Sequence, residues 1–139
     1  MMKRFWIVWL VLPFLVISWG CEQSDDFNPD DLTQVLIQGD GWHITYFWDK
    51  DKDETHKFNG WVFQFQDTGV FRAISLSETR QGTWTVNPSS QKLIIDITGF
   101  QPLDELNDDW LILEQSDTLI KLRDDNDTHL EELHFQKLP

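Results

Sequence analysis

From Gly41 onward, apolar and polar residues alternate with a period of two, and turn-forming residues recur about every ten positions. Alternation at that period puts one set of side chains on a buried face and the other in water, which is the mark of a half-buried strand. Such spacing of turns signals an antiparallel sandwich or barrel. The strand-forming segments are Gly41–Asp49, Lys57–Gln66, Val70–Ser77, Gln81–Val86, Leu93–Thr98, Trp110–Gln115, Thr118–Arg123 and Leu130–Lys137. Trp42, Ile44, Tyr46 and Trp48 share a face of the first strand, and Trp61, Phe63 and Phe65 share one of the second. Asp67-Thr68-Gly69 and Asn87-Pro88-Ser89-Ser90 have the composition of tight turns.

Eight antiparallel strands in sequence order predict an all-β up-and-down barrel, which leaves no free sheet edge. A barrel of this size is filled by its own side chains or holds one small ligand. A short helix precedes it. Asn28 can cap, Pro29 suits the first turn, Asp30 and Asp31 face the positive end of the helix dipole, and Leu32, Val35 and Leu36 form one apolar stripe ending near Gly39 or Gly41. Pro102–Leu106 has the composition of a single helical turn between the fifth and sixth strands.

The first 21 residues read differently. Lys3 and Arg4 precede an apolar run from Phe5 to Trp19, broken by Pro13, and Gly20 stands before Cys21, which is followed by Glu22-Gln23-Ser24-Asp25-Asp26. A charged start, an apolar centre and a small residue before the cleavage point define a secretory signal peptide. A single cysteine at that junction looks like a bacterial lipoprotein processing site, so Cys21 is the expected lipidation site. The expected organisation is a signal peptide over 1–20, an acidic tether over 21–30 and the barrel domain over 31–139. The expected location is the bacterial cell envelope, as an outer-membrane lipoprotein exposed at the surface and held to the membrane through Cys21. With one cysteine in the chain no internal disulfide forms, and packing alone must hold the fold.

Composition narrows the partners. Residues 1–20 carry Lys3 and Arg4 and no acid, so the formal charge is −15 without them, against −13 for the whole chain. That disfavours nucleic acid, whose phosphates require basic patches. Five tryptophans and eight phenylalanines lie beyond residue 20, enough for a genuine core.

Several segments in order resemble the lipocalin-like lipoproteins of Bacteroidetes-type bacteria. They are Gly41-Trp42-His43-Ile44-Thr45-Tyr46-Phe47, Phe58-Asn59-Gly60-Trp61-Val62-Phe63-Gln64-Phe65 with Asp67-Thr68-Gly69, Gly82-Thr83-Trp84-Thr85-Val86, Asp109-Trp110, Ile120-Lys121-Leu122 and Leu133-His134-Phe135-Gln136-Lys137-Leu138. The resemblance runs over about residues 30–139. It implies a lipocalin-like barrel and an envelope address, and it implies no catalytic residues.

Catalytic and metal motifs match poorly. Asp49, Asp51 and Asp53 copy the first ligands of a calcium loop, but Glu54 stands where glycine should turn the chain and Gly60 where the last glutamate belongs. Asp124-Asp125-Asn126-Asp127 suits turn geometry by itself. His129 and His134 are five apart, which on a strand sends them to opposite faces. No nucleophile motif is present, so no catalytic residue, metal ligand or cofactor is assigned. The remaining expectation is reversible binding of a small apolar or amphipathic ligand by Tyr46, Trp48, Trp61 and Phe63, without chemistry on it. The alternative is a structural or interaction lipoprotein with a filled core that contacts other envelope proteins.

Overall fold

The computed structural model describes residues 28–139. The signal peptide, Cys21 and most of the acidic tether lie outside the described residues. Helix α1 (Pro29–Ile37) is followed by strands β1 (Trp42–Asp49), β2 (Lys52–Asp53), β3 (Val62–Phe65), β4 (Val70–Ile74), β5 (Thr79–Asn87), β6 (Lys92–Asp96), β7 (Asp108–Gln115), β8 (Leu119–Asp124) and β9 (Glu131–Lys137). Strands β1 and β3–β9 pair antiparallel in sequence order, and β1 pairs with β9, closing an eight-stranded up-and-down barrel. The two-residue β2 folds back on the end of β1. The fold is the one the alternation predicts.

α1 begins where expected: the Asn28 side chain accepts from the Asp30 amide at 3.0 Å, with Pro29 in the first turn. Its first turn therefore falls at the end of the stretch assigned to the tether. Leu32 and Leu36 are buried, and the helix lies across the end where β1 starts and β9 finishes. The last carbonyls of a helix have no partner within it. Here Trp42 Nε1 donates to Leu36 O at 3.1 Å and Lys137 Nζ to Val35 O at 3.1 Å. The Lys137 ammonium also lies 4.9 Å from the Trp42 ring centre.

Aromatic rings fill the interior. Phe63 stacks on Phe71 at 5.6 Å and meets the edge of Phe135 at 5.6 Å. Phe65 contacts Phe135 and Trp84, each at 5.5 Å. At the far end, Leu103 and Leu106 of a 3-10 turn (Leu103–Leu106) are buried, and Trp110 Nε1 donates to Leu106 O at 2.9 Å. That turn is the one predicted over Pro102–Leu106.

Besides a register shift between Ile112 and Glu114 on β7, two local features depart from the simple alternation. On β1, Ile44 pairs with Phe135 and Tyr46 with the adjacent His134, so Thr45 is an extra residue, a β-bulge. Beyond it the inward parity changes: Phe47 is buried, while Tyr46 and Trp48 turn outward. The expected single face of Trp42, Ile44, Tyr46 and Trp48 is therefore split, because one inserted residue reverses every later side chain. The second departure concerns Lys57–Gln66, which is not one strand. Thr55–Phe58 forms a 3-10 turn, Gly60 has φ +82°, and regular pairing starts at Val62. β1 meets β3 at one residue pair only, Trp42 with Phe63. The segment before β3 closes that gap: the Glu54 amide donates to Phe47 O, the Phe47 amide donates to Thr55 Oγ1, and Phe58 enters the core against Phe47 at 5.2 Å.

Candidate functional site at the acidic end of the barrel

Four neighbouring strands present a carboxylate at the barrel end opposite α1. Asp49 ends β1, Glu131 begins β9, Asp124 ends β8 and Asp108 begins β7. Each lies two residues from a buried core side chain: Phe47, Leu133, Leu122 and Trp110 respectively. Strand alternation thus gives all four the inward parity. Asp49 is directly opposite Glu131 in the pairing, and Asp124 is opposite Trp110, two residues from Asp108. Carboxylate oxygens of Asp108, Asp124 and Glu131 lie within 4.8 Å of one another. All four residues are partly buried, and Asp49 Oδ1 is out of reach of solvent without a hydrogen-bond partner.

No ion pair within 4.0 Å among the described residues involves any of the four. Burial and like charge both disfavour ionisation. Burial, then the charges of Asp49, Asp124 and Asp108, push the Glu131 carboxyl up to about 7. Burial first, with Asp124 adding to it, also raises the Asp108 carboxyl above its ordinary range. What this end of the barrel can do chemically is hold a proton on Glu131 near neutrality.

A second carboxylate group adjoins it and is compensated. Glu54 is 5 % exposed, and the Lys57 ammonium pairs with it and with Glu105 at 2.9 Å, while Lys52 reaches Glu54 at 3.1 Å. Hydrogen bonds from Lys57, then Lys52, hold the Glu54 carboxyl below its ordinary value. Of the calcium-like spacing, Asp49 turns inward, whereas Asp53 accepts from Thr55 Oγ1 at 2.6 Å and Asp51 is exposed. The three do not converge.

The four residues assigned to a ligand do not share a cavity. Phe63 is wholly buried among aromatic rings. Tyr46 is on the outer surface, 4.7 Å from the ring of His134, whose Nε2 lies 2.6 Å from Glu132 Oε1. Partial burial, then the charges of Glu132 and Asp53, raise the Tyr46 phenol. Trp48 also faces outward, with Nε1 donating to Lys50 O at 3.2 Å. Trp61 is partly buried against the core. Two grooves flank α1 at the other end. One of about 420 Å³ lies between Leu36–Gly39 and Gln64–Asp67, and one of about 390 Å³ lies between Asp31–Gln38 and Gln115–Asp117.

The acidic layer was readable in principle. Asp108, Asp124 and Glu131 each stand two positions from an inward apolar residue, which is a parity signal. Asp49 carries that signal only once the bulge at Thr45 is known.

No protein-family model matches the chain, and no curated protein matches it. Among solved structures, the barrel is similar to a DUF4847 family protein from Bacteroides vulgatus, with a TM-score of 0.58 and 16 % identity. The likeness covers 77 % of this chain and 97 % of that one. At this identity it establishes the shared barrel fold.

Proposed function

We propose that the chain is a lipid-anchored envelope protein whose lipocalin-like barrel has a filled core and acts through its surface on other envelope components. The observation that carries this reading is the interior itself. Phe63, Phe65, Phe71, Phe135 and Trp84 contact one another ring to ring, leaving the proposed ligand wall dispersed between the inside and the outside. A carrier holds an apolar ligand by keeping such walls apart around a cavity. The Bacteroides neighbour supports the barrel and adds no ligand. The envelope address rests on Lys3, Arg4, the apolar run and Cys21.

The address is testable directly. The full chain expressed in its host should partition into detergent, with a diacylglyceryl group and an acyl chain on Cys21 by mass spectrometry of the N-terminal peptide. Cys21→Ser should lose the lipid mass and the detergent partition of the processed form. Unmodified Cys21 in the wild-type protein would overturn the anchor.

A further inference from the structure

We propose that Asp49, Asp108, Asp124 and Glu131 form a proton-operated clasp, closed at mildly acidic pH and loosened above neutrality, at the barrel end opposite α1. Four adjacent strands turn a carboxylate inward at one level, above Phe47, Trp110, Leu122 and Leu133. Asp49 stands directly opposite Glu131, and carboxylate oxygens of Asp108 and Asp124 lie within 4.8 Å of each other and of Glu131. Protonated, each pair ties neighbouring strand ends together: β1 to β9, and β7 to β8. Ionised, the layer holds up to four like charges in a partly desolvated space, a strongly repulsive arrangement.

Among the described residues, none of the surrounding cations forms an ion pair within 4.0 Å with any of the four. From β6 comes Lys92, which has the outward parity beside buried Leu93 and is bonded to Asp125 at 2.9 Å, with the charges of Asp109 and Asp108 also acting on it. Glu54, just before the 3-10 turn Thr55–Phe58, and Glu105, in the turn Leu103–Leu106, adjoin Asp49 and hold Lys57 between them, with Lys52 on Glu54. Arg123 and Glu132 have the outward parity on β8 and β9, and Lys50 and His129 are exposed in the turns beside the layer. No cation therefore takes the position between the four carboxylates.

The sign follows from proton linkage. A carboxyl whose value in the folded state is raised binds more protons folded than unfolded, between about pH 4.5 and 7 for Glu131. Stability is therefore full below that window, falls as pH rises through it, and is level above it. Discounted for partial exposure, the effect should be a roughly 10- to 100-fold change in opening equilibrium.

The test is amide hydrogen exchange by mass spectrometry on the full chain in neutral detergent, with chelator present throughout. Exchange is measured at pH 5.5 and 8.0 and corrected for the intrinsic chemical rate. Amides at the acidic ends of β1, β7, β8 and β9 should open roughly 10- to 100-fold more at pH 8.0. Glu131→Gln should largely remove that difference, and Asp108→Asn should reduce it. Equal opening of the wild-type protein at the two pH values would overturn the clasp without any variant. So would a pH difference that persists undiminished in both variants.

Discussion

Gly82→Ala is expected to lower the melting temperature by roughly 10 °C or more, or to prevent folding. Gly82 lies on β5 opposite Phe71, where the chain leaving β6 crosses close over it. A Cβ built there would be 2.1 Å from Asp96 O and 2.8 Å from Ile97 Cβ. The obstruction is mainly backbone, so no rotamer change relieves it, and the cost should reach the upper part of the ~1–3 kcal/mol range for overpacking or exceed it. Gly60→Ala separates this steric effect from backbone preference. Gly60 has φ +82° with nothing within 4 Å of the added carbon, so only the left-handed conformation resists, at roughly 1–2 kcal/mol. Thermal melts of the two variants should therefore differ clearly. Equal shifts would mean that β5 and β6 lie farther apart than described.

Trp42→Ala should be destabilising by about 3–5 kcal/mol, the range for removing a buried aromatic. Trp42 is wholly buried and joins three elements. Its ring fills the barrel end, its Nε1 holds the last turn of α1 through Leu36 O, and Lys137 lies over its face. Trp42→Phe keeps most of the ring and loses the donor, leaving a buried carbonyl short of a partner, at roughly 1–3 kcal/mol. Urea unfolding of both variants, with helical content followed by circular dichroism, separates the packing and hydrogen-bond contributions. If the two substitutions cost the same, the hydrogen bond to α1 rather than the ring volume would dominate.

The parts of this fold legible from sequence are those governed by local periodicity. Leu93, Ile95 and Ile97 alternate inward as read, and so do Leu133 and Phe135. The Asn28-Pro29 start of α1 needed only capping chemistry. What was hidden depended on contacts between distant segments. Thr45 carries no mark of a bulge; the extra residue exists because β1 must follow β9 and still bury Phe47. Likewise, Thr55–Phe58 leaves the strand conformation because the gap between β1 and β3 needs Phe58 as a filler. The candidate site was obscured for a related reason. Its members are spread from Asp49 to Glu131, and acidic residues are so frequent in this chain that only the barrel register singles out four of them.

Native mass spectrometry is the direct test of a filled interior. The whole protein, released gently from its own host envelope in neutral detergent, should give the mass of the processed, lipidated polypeptide alone. A reproducible stoichiometric excess, released by organic solvent, would contradict a filled core and return the barrel to the ligand-carrying class.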